Sequence, residues 1–265
     1  MASDDIDLSF LDRPEILGVI FYPRRSFYVK PSKPDQKNYF VDVEKGVRIG
    51  CRFYIEDPDC ASMLYFHGNG EIVDDYDWSA PLYKDIGINL FVADYRGYGF
   101  SDGSPTITNM VKDSHSIFKR FKEIVNESSF KDSLFVMGRS LGSIPAIDVA
   151  FHHQEDIQGL IIESGSANNF LYFFEGLIPS NHPIWNDDNQ LLNKMKIRSI
   201  LKPTLIIHAE YDSLVPLEEG EELYENSHAK HKRFLMIKNA SHNDLMIVGK
   251  ERYFKAIEEF VGKNR

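Results

Sequence analysis

The sequence has only two cysteines, Cys51 and Cys60, among its 265 residues, and no apolar run long enough to cross a membrane. Two cysteines form one disulfide at most, which excludes a disulfide-stapled scaffold and favours a reduced, cytoplasmic location. The first ten residues, MASDDIDLSF, are acidic and lack the apolar core of a signal peptide. We therefore expect a protein without stable membrane insertion.

Positive charge is also scarce, with 30 Lys and Arg against 40 Asp and Glu and a formal net charge of −10. Nucleic acids bind basic patches, so this balance argues against a nucleic-acid partner. The length suits one α/β domain with a well-buried core. We expect an N-terminal arm at residues 1–36 and a single domain at residues 37–265.

The chain is organised around the stretch at residues 133–153, SLFVMGRSLGSIPAIDVAFHH. An apolar run at 134–137 has the pattern of a strand buried on both faces. The string GRSLG follows at 138–142, and apolar residues then recur at helical spacing. At such a junction Ser140 is expected in a strained turn that holds its hydroxyl at the carboxyl edge of a sheet.

The same G-x-S-x-G string occurs a second time, as GFSDG at residues 99–103, and context separates the two copies. In this copy the segment 94–98 lies between the preceding strand pattern and the string, and no helical spacing follows directly. We interpret it as a polar loop and retain Ser140 as the candidate nucleophile.

Strand patterns alternate with helical patterns along most of the chain, after a hairpin pattern near residues 39–55. This alternation predicts an α/β fold with a mostly parallel central sheet, helices on both faces and an antiparallel hairpin start. Apolar spacing also predicts single helices at about 74–85 and 244–261.

The segment at about 165–200 is longer than a crossover between two strands needs, which predicts a small cap over the carboxyl edge of the sheet. Its aromatic residues Phe170, Phe173 and Trp185 are candidates for lining a substrate pocket. An ordinary buried crossover helix explains these aromatic residues equally well.

Ligands of an open parallel sheet bind beyond the carboxyl ends of its strands, so the polar residues at those ends are the site candidates. A serine nucleophile needs an adjacent base, and His242 follows the last strand in a loop of small residues. Asp212 follows the strand pattern at 204–207 and is the candidate carboxylate that orients the base. Glu163, at the end of an earlier strand, stays open as an alternative acid.

Acyl transfer also needs two donors for the oxyanion of its tetrahedral intermediate. One donor is expected to be the backbone N–H of Leu141, the residue after the candidate nucleophile. The second is expected from the glycine-containing loop after the strand pattern at 63–66, through the N–H of Asn69 or Gly70.

Four separated motifs carry a resemblance to the α/β-hydrolase superfamily: HGNG at 67–70, DYRGYG at 94–99, GRSLGS at 138–143, and YDSLVP at 211–216 together with the Ser-His pair at 241–242. The residues of these motifs resemble those of the branch that contains the α/β-hydrolase-domain serine hydrolases and depalmitoylating thioesterases. The resemblance implies an α/β-hydrolase fold and an esterase or thioesterase that uses neither a metal nor an organic cofactor.

From the residues and the resemblance we expect a serine hydrolase whose partner is a small-molecule carboxylic ester or acyl thioester. The alternative is a catalytically inactive α/β-hydrolase relative that binds a ligand or a partner. A binding module has no need of a serine, a base and an acid together, which favours the enzyme.

Overall fold

A computed structural model describes residues 9–28, 31, 33–186, 189 and 191–265. These residues contain an eight-stranded sheet with the order β1-β2-β4-β3-β5-β6-β7-β8. The strands β1 and β2 form an antiparallel hairpin and β2 pairs antiparallel with β4, whereas every later pairing is parallel. The strands are β1 Gln36–Glu44, β2 Val47–Tyr54, β3 Ala61–Phe66, β4 Ile88–Ala93, β5 Leu134–Arg139, β6 Gly159–Glu163, β7 Thr204–Ala209 and β8 Lys232–Ile237.

Helices connect the parallel strands and cover the sheet. The α-helices are α1 Pro14–Ile20, α2 Ala80–Lys84, α3 Ile107–Glu127, α4 Ser143–His153, α5 Asn193–Ile197, α6 Leu217–Asn226, α7 Leu245–Val248 and α8 Lys250–Asn264. Short 3-10 turns lie at Ser9–Asp12, Val73–Asp77, Ser140–Gly142, Gln154–Asp156, Leu171–Phe174 and Pro183–Trp185.

Two hydrophobic layers form the core, one on each face of the sheet. Alternate residues of β3 divide between them: Leu64 and Phe66 pack into one layer, and Met63 and Tyr65 into the other. Helices α1, α3, α4, α5 and α6 contribute to the first layer, and α2, α7 and α8 to the second. Because the central strands are buried on both sides, the predicted α/β class with helices on both faces is confirmed.

Two of the predicted helices are interrupted in the structure. The prediction of one helix at 74–85 is wrong: a 3-10 turn ends at Asp77, and α2 starts anew with Pro81 in its first turn. Proline has no N–H to donate to the preceding turn, so the hydrogen-bond ladder cannot continue through it. The predicted helix at 244–261 divides at Gly249 into α7 and α8.

The N-terminal segment packs against the body of the fold through α1, which buries Ile16 and Ile20. Residues 1–8, 29, 30 and 32 of the predicted arm, and 187, 188 and 190 of the predicted cap, lie outside the described residues. Across the described chain, no helix combines the length and the apolar character that crossing a membrane requires.

The turn from β5 into α4 depends on two glycines that let backbone segments touch. A Cβ added at Gly138 would lie 2.2 Å from the carbonyl oxygen of Gly142. A Cβ added at Gly142 would lie 2.1 Å from the carbonyl oxygen of Phe66, at the end of β3. Both contacts are with backbone atoms, so no side-chain rotation relieves them and the α4 amino terminus stays close to the sheet.

We expect Gly142→Ala to lower the free energy of unfolding by about 3 kcal/mol or more, at the upper end of the cost of overpacking. Gly262→Ala is the matched control, because a Cβ there meets nothing within 4 Å. That control should change stability by no more than about 1 kcal/mol, the difference between glycine and alanine in a helix. Urea unfolding of both variants measures this, and equal midpoints would contradict the clash.

Candidate active site

Ser140 occupies the turn between β5 and α4, where its backbone has a φ of +50°. This left-handed conformation costs a residue with a Cβ of order 1–3 kcal/mol and persists only where the surroundings enforce it. The close approach of Gly138 and Gly142 provides that enforcement. Ser140 is 8% exposed and therefore sits in a recess rather than on an open surface.

The structure brings Ser140, His242 and Asp212 together from three distant segments. Nε2 of His242 lies 3.0 Å from Oγ of Ser140, and Nδ1 of His242 lies 2.8 Å from Oδ2 of Asp212. With Nδ1 protonated and donating to the carboxylate, Nε2 is left as an acceptor for the serine hydroxyl. A hydroxyl, an imidazole and a carboxylate thus form one hydrogen-bonded chain.

The carboxylate of Asp212 is held by its own turn as well as by the imidazole. Its Oδ1 accepts hydrogen bonds from the backbone N–H groups of Leu214 at 3.1 Å and Val215 at 2.8 Å. Burial acts to raise the pKa of Asp212, but the hydrogen bond and the charge of His242 outweigh it and lower the pKa. The group is therefore an anion with fixed orientation, suited to stabilise an imidazolium.

Glu163, the alternative acid, faces a different group. Its Oε1 accepts from Nε of Arg139 at 3.1 Å, and its Oε2 accepts from the hydroxyl of Tyr253 at 2.6 Å. Arg139 and Glu163 are register partners on the neighbouring strands β5 and β6. The structure thus pairs Glu163 with Arg139 and leaves Asp212 as the carboxylate beside His242.

Arg139, the residue before Ser140, links several loops of the site. Its Nη1 donates to Oε1 of Glu71 at 2.6 Å, and its Nη2 donates to the carbonyl oxygen of His242 at 2.8 Å. Nη2 also lies 3.3 Å from Oδ1 of Asn243. One guanidinium therefore ties β5 to the loop after β3 and to the loop that carries the histidine.

Glu71 completes this linkage on the side of the loop after β3. Its Oε2 accepts from the N–H of Gly68 at 2.7 Å and from the hydroxyl of Tyr76 at 2.8 Å. Burial acts to raise its pKa, but the charge of Arg139 and the other partners outweigh burial, so the pKa is lowered. A Cβ at Gly68 would lie 2.6 Å from Nη1 of Arg139, which is why the loop carries a glycine there.

The candidate oxyanion donors of this loop are the backbone N–H groups of Asn69 and Gly70. The side chain of Asn69 is turned away, because its Oδ1 accepts from the N–H of Tyr22 at 2.8 Å and from the hydroxyl of Tyr98 at 2.7 Å. On the other side, Leu141 lies in the first turn after β5, whose N–H groups lack intrahelical partners.

The segment after α1 packs on this loop from outside. Nη1 of Arg24 donates to the carbonyl oxygen of Gly70 at 2.9 Å, and the same guanidinium pairs with Asp75 at 2.8 Å. Together with the contact of Tyr22, these bonds hold the loop after β3 in place. Sequence reasoning missed this role of the arm, because no local pattern near residue 22 indicates a partner near residue 69.

The predicted cap aromatics occupy different environments. Phe170 is buried at 3% exposure with a φ of +62°, whereas Phe173 is 42% exposed and stacks beside it with ring centroids 6.3 Å apart. Nε1 of Trp185 donates to the carbonyl oxygen of Pro179 at 2.9 Å. A substrate-lining role for these three residues stays a prediction.

A cavity of about 100 Å³ lies beside His242. Its lining comes from the loop after β3 and from α7, and includes Tyr76, Trp78, Met246 and Ile247. Trp78 and Ile247 are 59% and 67% exposed, so apolar groups stand open to solvent at its rim. Charged residues also line the cavity, among them Glu71, Arg139 and Glu163, so its walls are partly apolar and partly polar.

Comparisons with known proteins find similar sequences and the same fold. A family model described as serine aminopeptidase, S33, matches residues 57–173. Human alpha/beta hydrolase domain-containing protein 17B is 26% identical over 85% of this chain and 75% of its own length. Protein bem46 of Schizosaccharomyces pombe is 27% identical over 77% of this chain and 68% of its own. The esterase Pf2001 of Pyrococcus furiosus has the same fold, with a TM-score of 0.71 at 21% identity over 91% of this chain and 98% of its own.

The chain has the α/β-hydrolase fold and is similar in sequence to hydrolases. It carries a polar linkage that the sequence analysis missed, formed by Arg139, Glu71 and Glu163. The sequence did contain one indication of it, since Arg139 lies directly between an apolar strand and the candidate nucleophile. A buried charge without a partner at such a position is energetically costly. Such a position requires carboxylates nearby, but the sequence alone does not say which ones.

We expect Arg139→Gln to destabilise the protein by about 3–5 kcal/mol, because it leaves buried carboxylates without their cation. Burial then raises the pKa of Glu71 above its unfolded value, and the folded state binds a proton more readily. The difference in the free energy of unfolding between wild type and Arg139→Gln should therefore become smaller as the pH falls from about 7 to about 5.

Urea unfolding at the two pH values measures this effect. Arg120→Gln is the control, because the guanidinium of Arg120 pairs with surface carboxylates and is 34% exposed. Its loss should cost less than about 1 kcal/mol. A deficit for Arg139→Gln that grows on acidification would show that the linkage does not stabilise the ionised carboxylate.

Proposed function

We propose that this protein is a serine hydrolase that cleaves a small carboxylic ester or acyl thioester through an acyl-enzyme intermediate. The observation that carries the proposal is the hydrogen-bonded chain from Ser140 through His242 to Asp212, with separations of 3.0 and 2.8 Å. Similarity to hydrolases supports hydrolytic activity, and the triad supplies the chemistry.

In acylation, Oγ of Ser140 attacks the carbonyl carbon of the substrate while Nε2 of His242 takes the hydroxyl proton. The carboxylate of Asp212 stabilises the imidazolium that results. His242 then gives the proton to the departing alkoxide or thiolate, and the acyl group remains on Ser140. Water attacks the acyl-enzyme with His242 again as the base, which releases the acid and restores the serine.

The backbone N–H of Leu141 and that of Asn69 or Gly70 are the proposed oxyanion donors. Leu141 follows the nucleophile and lies in the first turn after β5. A donor of this kind contributes about 3–4 kcal/mol to lowering the barrier.

The strained backbone of Ser140 argues against a catalytically inactive binding protein. A φ of +50° at a residue with a Cβ costs stability, and a ligand pocket without chemistry gains nothing from it. The geometry supports hydrolysis of esters, thioesters and amides by the same steps, and the leaving group distinguishes them. These classes are separated by measuring hydrolysis rates with three kinds of substrate: p-nitrophenyl esters of increasing acyl length, matched acyl thioesters and an aminopeptidase substrate.

We expect wild-type protein to react covalently with a fluorophosphonate probe and Ser140→Ala not to react, because the probe traps an activated serine. Ser101→Ala is the matched control, since Ser101 lies in the second G-x-S-x-G string and its Oγ accepts from the N–H of Gly50 at 2.9 Å. This control should keep the wild-type labelling. Equal labelling of wild type and Ser140→Ala would remove Ser140 as the nucleophile.

We expect Asp212→Asn to lower kcat by about 10⁴-fold, as loss of the orienting carboxylate does in other triads. Glu163→Gln should lower kcat far less and act mainly on stability, because Glu163 contacts Arg139 rather than the imidazole. Steady-state kinetics with one p-nitrophenyl ester, together with urea unfolding, separates the two effects. A rate loss from Glu163→Gln as large as that from Asp212→Asn would reverse the assignment of the acid.

A further inference from the structure

A cluster of three histidines and one buried aspartate lies between α3 and α4, apart from the hydrolytic residues. Nε2 of His115 lies 2.8 Å from Oδ2 of Asp148, and Nδ1 of His152 lies 3.5 Å from the same oxygen. One ligand atom from each of these three residues falls within 4.8 Å of the other two. Three groups of the types that bind Zn²⁺ therefore converge on one point.

Asp148 is oriented so that one of its two oxygens faces this point. Its Oδ1 is taken by the ammonium group of Lys196 from α5, while Oδ2 faces both histidines. The side chain is 3% exposed. The carboxylate thus has one oxygen paired with Lys196 and one directed at the two histidines.

His115 carries the outer hydrogen bond that metal-binding histidines have. While its Nε2 faces Asp148, its Nδ1 lies 3.0 Å from Nε2 of His153. In the metal-free protein Nε2–H of His115 donates to Asp148, because a carboxylate only accepts. An ion bound at Nε2 displaces this proton to Nδ1, which can then donate to Nε2 of His153.

We propose that His115, Asp148 and His152 form a Zn²⁺ site that joins α3 to α4. In a tetrahedral site with bonds of about 2.0–2.1 Å, neighbouring ligand atoms lie about 3.3 Å apart, so the present separations need only small shifts. His152 moves the most of the three side chains, because it is 40% exposed. To bind the ion, its Nδ1 gives up its hydrogen bond with the backbone carbonyl oxygen of Asp148. Water occupies the fourth position.

An ion reaches the cluster from solvent. A groove of about 590 Å³ lined by His115, Phe118 and His153 opens beside it. The site lies toward the carboxyl-terminal end of α4, whereas Ser140 precedes the amino-terminal end of the same helix. The ion is therefore structural and takes no part in the hydrolytic steps, and the proposal stands or fails independently of the proposed function.

The test uses the full chain without a histidine tag, stripped with a chelator and dialysed against Zn²⁺ at pH 7.5. We expect about one Zn²⁺ per wild-type chain by elemental analysis, and binding at least 100-fold weaker in the double variant His115→Gln, His152→Gln. The double variant His228→Gln, His231→Gln is the control, because both histidines are exposed and lie outside the cluster. It should bind like wild type.

Two further measurements distinguish loss of the metal site from misfolding of the variant. Zn²⁺ should raise the Tm of wild type and of the control, but not of the cluster variant, since an ion that binds only the folded state stabilises it. His153→Gln, which changes the outer partner alone, should weaken binding by about 10–100-fold. Zn²⁺ bound equally by the cluster variant and wild type, or no Zn²⁺ bound by wild type, would show that the cluster is a hydrogen-bonded network without a metal.

Discussion

The buried guanidinium of Arg139 is the interaction on which the rest of the site depends. It lies one residue before the candidate nucleophile and bonds Glu71, Glu163 and the carbonyl oxygen of His242. These partners belong to the loops after β3 and β8 and to the end of β6, which share no local sequence. Without the guanidinium of Arg139, the end of β5 before Ser140 would lose its hydrogen bond to the loop that carries His242. The relative position of the two segments would then be less well fixed.

Two carboxylates at the same edge of the sheet are assigned different tasks by their surroundings. Asp212 faces the imidazole and is oriented by the N–H groups of its own turn, so its negative charge is directed at His242. Glu163 is divided between Arg139 and Tyr253, so its charge is already compensated. Both oxygens of Glu163 are engaged by Arg139 and Tyr253, which is the physical reason to propose Asp212, and not Glu163, as the acid.

The sequence predicted those features that local patterns encode. The strand, turn and helix around Ser140, the parallel sheet and the positions of Asp212 and His242 after their strands all follow from apolar spacing and chain order. What it could not predict are contacts between distant residues: Arg139 meets Glu163 only because of the register of β5 and β6. The hydrogen bonds of Tyr22 and Arg24 to the loop after β3 likewise join residues far apart in sequence. The close approach of Gly249 to Ile237, where a Cβ would lie 2.5 Å away, is another contact between distant residues.

Helix α4 connects the two polar centres of the molecule and explains why each can be buried. At its amino-terminal end, Gly142 lets the helix approach the carbonyl oxygen of Phe66, which sets the position of Ser140. Toward its carboxyl-terminal end, Asp148 bonds His115 from α3 and Lys196 from α5. A helix fixed to the sheet at one end and to two neighbouring helices at the other has little freedom to slide or rotate. The proposed nucleophile needs this rigidity, because any relaxation of the turn would relieve the backbone strain and move the hydroxyl of Ser140 away from His242.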